Sequence, residues 1–254
     1  MKRLVGVALL ALTLLAPGAV LAEVGDPRNL IDDLSPVAAP PAAKGVESSV
    51  GSDGATLAAA ASRGGSVGTA SVAPGRKPSR ALEKALRARE SGNYALALLM
   101  LLPLAQQGEP EAEYHLGILY EYGLGVERDD GEAFKWYRRA AERGHAPAQY
   151  GLGLMYFDGR GTGSDATAAA EWMARAAEQG YAPAQYGLGL LRFNGVGVER
   201  DLVRAQMWFE LAAARGNESG RESRDSLVRQ LTSEQLLRAR QLASLWRPKG
   251  RPRP

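Results

Sequence analysis

From about residue 108 onward, small and apolar positions recur along the chain every 36 residues. Gly108, Gly144, Gly180 and Gly216 stand in register, as do Ala105, Ala141, Ala177 and Ala213. Leu116-Gly117, Leu152-Gly153 and Leu188-Gly189 match, and so do Trp136, Trp172 and Trp208. Within one period Ala112, Leu116 and Tyr120 fall at i, i+4 and i+8, which predicts one apolar stripe on a helix over about 112–122. The Gly-Leu-Gly-Val-Glu-Arg-Asp segment at 123–129 ends that helix, because glycine permits the positive φ of a tight reversal. Asp129 or Asp130 then offers a carboxylate cap to a second helix that runs to about Arg143 and closes at Gly144. Pro147 and Pro183 fall near the first turn of the next helix, where a missing N–H costs little.

Gly117, Gly153 and Gly189 lie inside the first helices, each at a cost of about 1 kcal/mol relative to alanine. Their regular placement predicts a close approach of the paired helix, with Ala133, Ala140 and Ala141 as its small positions and Trp136 filling the space between neighbours. One helical hairpin cannot bury these faces alone, and a stack of them can. The predicted fold is therefore an all-α solenoid of stacked helical hairpins.

The remainder of the chain differs in composition. All the aromatic residues lie at or after Tyr94. Residues 23–80 are rich in Ala, Gly, Ser and Pro, cannot bury enough apolar surface to offset their ordering entropy, and are expected to form a disordered linker. Within it, Asn29-Leu30-Ile31-Asp32-Asp33-Leu34 is the one apolar cluster that could make a helical turn or a docking motif. Residues 1–22 have the pattern of a secretory signal: Lys2 and Arg3, an apolar run from Leu4 to Leu15, a break at Pro17-Gly18, and Val20-Leu21-Ala22 before a cut. That run is shorter than the roughly 20 residues a membrane span needs. The mature protein is expected to be exported, and periplasmic if the source is a Gram-negative bacterium. The net charge of +3 describes no single surface. The signal carries +2, the last eight residues carry +4, and residues 81–246 are mildly acidic.

The motif Ala112-x-Tyr114-x-Leu116-Gly117-x-x-Tyr120-x-x-Gly123-x-Gly125-Val126-x-x-Asp129, followed by Ala133-x-x-Trp136-Tyr137-x-x-Ala140-Ala141-x-x-Gly144, resembles the Sel-one-like repeat (SLR), a class within the tetratricopeptide superfamily. Thr162 stands for Val126, Met173 for Tyr137 and Arg192 for Tyr120 in later copies, the last implying a relaxed core-edge position. The resemblance implies a right-handed α-α superhelical solenoid, with a degenerate opening repeat over 81–108 and repeats at 109–144, 145–180 and 181–216. It also implies capping helices over 217–248, where Thr232 and Gln235 have capping-box spacing, before a basic Pro-rich tail at 249–254. Members of the family are mostly adaptors and scaffolds. Exported bacterial members are linked to envelope assembly, exopolysaccharide regulation and signalling. A cysteine-rich branch associated with penicillin binding depends on a disulfide in each repeat, and this chain has no cysteine.

Candidate chemistry is sparse. Cysteine nucleophiles and thiolate metal sites are excluded, and no Ser/His/Asp constellation has recognisable context. His115 and His145, the only histidines, are 30 residues apart, the first expected on a surface or groove and the second after a helix-closing glycine. No catalytic residue, metal or cofactor is expected, and no nucleic-acid partner. The candidate binding surface is the face of the first helices opposite the Ala112 stripe: Tyr114, Ile118 and Tyr122, then Tyr150 and Leu154, then Tyr186 and Leu190. In the tetratricopeptide arrangement this face lines the concave groove, where aromatic and aliphatic side chains suit capture of a protein or peptide. The same residues equally suit packing between successive hairpins. The tail from Trp246 is expected to be a solvated end that could touch anionic lipid or an acidic partner. The expected function is an exported, non-catalytic protein-interaction scaffold. The alternative is a cell-wall enzyme or penicillin-binding repeat protein.

Overall fold

The computed structural model describes residues 79–249, and within these every regular element is an α-helix. The expected signal and nearly all of the expected linker lie outside the described residues. The helices are α1 (Arg80–Glu90), α2 (Tyr94–Gln106), α3 (Pro110–Tyr122), α4 (Asp130–Glu142), α5 (Ala146–Asp158), α6 (Ala166–Glu178), α7 (Ala182–Asn194), α8 (Leu202–Ala213), α9 (Glu218–Val228) and α10 (Ser233–Leu245). From α1 to α9 each helix packs on its neighbours in the chain, and α10 packs back on α8. The result is a row of antiparallel hairpins whose core runs continuously from Leu82 through Leu101, Leu116 and Leu152. No helix among the described residues is long and apolar enough to cross a membrane.

Local chemistry sets the helix ends. Ser79 accepts a hydrogen bond from the Leu82 amide, so α1 begins inside the stretch expected to be linker. Asp129, Asp165 and Asp201 cap α4, α6 and α8 by accepting from the amide three residues on. Gly123, Gly159 and Gly195 close the first helices with φ between 65° and 72°. Thr232 and Gln235 form both bonds of a capping box at α10.

The glycines inside the first helices mark close approach of the paired helix, as expected, and the nearest atoms there belong to a large side chain. A Cβ at Gly117 would lie 2.6 Å from the Tyr137 ring, one at Gly153 2.8 Å from Met173, and one at Gly189 2.5 Å from the Phe209 ring. The residue after each repeat tryptophan thus fills the space of the missing side chain. Ala133, Ala140 and Ala141 are buried as expected of small core positions, and so are Trp136 and Trp208, whereas Trp172 is half-buried. Arg192, at the substituted core-edge position, is half-buried with its Nε lacking a hydrogen-bond partner.

Candidate functional site

The row of first helices, α3, α5 and α7, carries the seven residues expected to line a groove. Ile118, Tyr150, Tyr186 and Leu190 are buried, Tyr114 and Leu154 are half-buried, and Tyr122 is 37% exposed. The Tyr114 ring lies 4.9 Å from the ring of His145, the residue that caps α5. Tyr150 lies 5.7 Å from Tyr181, the residue that caps α7. Tyr186 instead meets Phe209 of α8 at 5.9 Å. Most of this aromatic row therefore forms the joints between hairpins, and burial pushes the Tyr114 and Tyr150 hydroxyls well above their ordinary pKa. Tyr114, Leu154 and Tyr122 form the edge that solvent or a partner can reach.

Behind this edge lies a buried polar position that repeats in register: Glu113, Gln149 and Gln185. Gln149 donates through Nε2 to the Ala141 carbonyl, and Gln185 does the same to Ala177. Each satisfies a carbonyl near the end of the preceding helix. Glu113 cannot donate. Arg139 Nε donates to its carboxylate at 3.0 Å, and Arg139 Nη2 reaches the equivalent carbonyl, Ala105, at 3.1 Å. Arg143 adds a second guanidinium at 3.4 Å. Even so, burial pushes the Glu113 carboxyl up.

Two further polar clusters lie at opposite ends of α3. At its C-terminal end, Glu121 accepts from the Tyr137 hydroxyl at 2.5 Å and from Arg160 Nη1 at 2.6 Å, and Arg160 also donates to Asp158 at 3.1 Å. At its N-terminal end, Glu111 lies 3.2 Å from His115 Nε2 and 3.0 Å from His145 Nε2. His115 is buried, not on a surface or groove, because it stands one turn after Glu111 on the side facing α1 and the α5 cap. The Glu111–His115 spacing of i, i+4 is visible in the sequence. The convergence of His145 on the same carboxylate depends on how the hairpins stack. No group of three His, Asp or Glu side chains suited to a metal ion occurs among the described residues.

Of the tail expected to be solvated, Trp246 and Lys249 are held against the repeats while Arg247 is exposed, and residues 250–254 lie outside the described residues. The Trp246 ring lies 6.2 Å from Trp208 and under the Arg215 guanidinium at 4.6 Å. The Lys249 amide donates to the Glu178 carbonyl at 2.7 Å, and its Nζ pairs with the Glu178 carboxylate at 2.8 Å. These contacts return the chain to the end of α6, and Pro248 favours the extended path between them. Trp246→Ala is expected to lower stability by about 2 kcal/mol through lost ring burial. Chemical denaturation would measure it, with Lys249→Ala, an exposed pair, changing it by less than about 1 kcal/mol.

Comparison with known proteins places this architecture. The Sel1 repeat matches residues 110–145, 146–181 and 182–217. A Sel1 repeat protein from Oxalobacter formigenes is 33% identical with a TM-score of 0.54, over 56% of this chain and 59% of that one. The protein c5321, a protective antigen of uropathogenic Escherichia coli strains displaying an SLR fold, is 34% identical with a TM-score of 0.57 over 68% of this chain and 41% of that one. A curated relative, "DAP3-binding cell death enhancer 1" of Rattus norvegicus, is 51% identical over 37 residues, 15% of this chain and 7% of its own length. The chain thus spans only part of the relatives it matches. With three tandem matches, an all-helical hairpin stack and solved neighbours of the same repeat class, residues 110–217 are an array of Sel1-like repeats, a class of the tetratricopeptide-like superfamily.

Proposed function

We propose that this chain is an exported, non-catalytic scaffold that binds a protein or peptide along the accessible edge of its first helices, in envelope assembly, exopolysaccharide regulation or signalling. Sel1-repeat proteins are generally protein-interaction scaffolds. The observation that carries the reading here is the edge of Tyr114, Leu154 and Tyr122, which leaves aromatic and aliphatic surface open on a frame made rigid by the buried joints behind it. The name of the matched rat relative states that it binds DAP3, which supports protein binding as work such repeats perform. Export rests on the signal pattern of residues 1–22.

A photo-crosslinking residue placed at position 122 or 154 in vivo is expected to give the same discrete adduct from both. Placement at Lys135 or Arg138, on the outward face of α4, is expected to give none. Identical adduct patterns from the two faces, or no adduct from positions 122 and 154, would overturn the groove reading. The mature N-terminus is expected at Glu23, and retention of Met1 would sink export.

A further inference from the structure

The two histidines of the chain meet on one carboxylate at the joint between the first and second repeats. Glu111, in the first turn of α3, accepts from His115 Nε2 through one oxygen and from His145 Nε2 through the other. The second nitrogen of each ring fixes its protonation. His145 Nδ1 accepts the Ala148 amide at 3.3 Å as the cap of α5, so it carries no proton. His115 Nδ1 is buried with no hydrogen-bond partner, and the residue is 94% buried by its 6% exposure. Each ring donates an Nε2 N–H to Glu111, and His115 has no acceptor for a second one.

A second proton on His115 would put an N–H where no acceptor stands. Displacing that ring would disturb Glu111, which also holds His145, the cap of α5. The groups that face these rings come from every neighbouring element: Arg89 from α1, Glu111 and Tyr114 from α3, Tyr137 from α4 across Tyr114, and Tyr181 at the α7 cap. Glu121, at the far end of α3, also bears on Tyr114. A charged His115 would also stand in the field of Arg89, which disfavours it.

We propose that Glu111, His115 and His145 form an acid-sensitive joint between the first and second repeats, closed while the buried His115 ring is neutral and opened as that ring takes up a proton. The stability contribution has a defined sign. Burial holds His115 below the ordinary histidine value, so the unfolded chain binds the proton first, and stability falls as pH drops through about 6.5. The Glu111 carboxyl, held far down by its histidine bonds, loses its contribution only below about 4.5. Glu113, raised by burial, works in the opposite direction.

The test uses the full mature chain, wild type and the variants His115→Gln and His115→Leu, neither of which titrates at position 115. Between pH 7.5 and 5.5 the wild-type midpoint of thermal unfolding is expected to fall by about 5 °C, and that of the variants to stay nearly flat. Amide exchange at Ala148, corrected for intrinsic rate, is expected to speed up about tenfold over the same span in wild type and to stay constant in His115→Gln. If His115→Gln fails to fold, the same Ala148 measurement on His115→Leu decides. An Ala148 exchange rate that does not respond to pH in wild type, or responds equally in the folded variant, overturns the proposal.

Discussion

Alanine at position 161 is expected to cost the fold about 3 kcal/mol or more, although it adds a single methyl group at an exposed turn. Two penalties coincide there. Gly161 has a φ of +68°, which an L-residue with a Cβ adopts only at about 1–2 kcal/mol. Its Cβ would also overlap the carbonyl oxygen of Asp130 and lie 2.7 Å from that carbonyl carbon. Asp130 opens α4, so the loop of one repeat rests on the start of the second helix of the repeat before it. Backbone cannot swing away as a flexible side chain can, and overpacking of this kind costs about 1–3 kcal/mol. The same contact recurs where Gly125 meets Tyr94 and Ala95 and where Gly197 meets Ala166. Gly144→Ala is the control: its φ is +85°, but a Cβ there meets nothing within 4 Å. It should cost only about 1 kcal/mol, the backbone penalty alone. Denaturant unfolding of both variants measures the difference, and equal losses would show that the inter-repeat contact contributes nothing.

This glycine also shows where the sequence stops being legible. Its turn role is local and follows from the Gly-x-Gly spacing, as do the aspartate caps and the capping box at Thr232, because each depends on a few neighbouring residues. Its contact with Asp130 crosses between hairpins and has no local signature. The same division runs through the candidate site. The 36-residue register shows that Tyr114, Tyr150 and Tyr186 share a face. Whether that face is groove or joint depends on how tightly hairpins stack, and the rings of His145 and Tyr181 take up the space the groove reading left open. His115 and His145 fall on different elements in the sequence, and only stacking brings both to Glu111. The tail has no apolar periodicity, so its docking through Trp246 and Lys249 was hidden by its prolines and charge.

Arg139→Ala should be the most damaging loss of a charged side chain, at about 2–3 kcal/mol. Glu113 has no exposed surface, and Arg139 both neutralises it and satisfies the Ala105 carbonyl. Arg143 would remain, at the longer distance of 3.4 Å, so the carboxylate is not left wholly alone and the loss stays below the upper range for a broken buried pair. Part of the loss would come from the guanidinium stacked over Trp136 at 4.6 Å. The repeat register supplies a rescue. In the next two repeats a glutamine at this position donates to the equivalent carbonyl unaided, through Gln149 to Ala141 and Gln185 to Ala177. Glu113→Gln in the Arg139→Ala background should therefore remove the buried charge and restore the bond to Ala105, recovering all but about 1 kcal/mol. Acid should act in the same direction on the single variant. A buried carboxyl already pushed up in the folded state binds its proton before the unfolded chain does, so the deficit of Arg139→Ala shrinks as pH falls toward 4.5. Denaturation of the two single variants and the double forms the cycle. A double variant no more stable than Arg139→Ala would mean that Arg139 acts through Trp136 packing, with the Glu113 charge already balanced by Arg143.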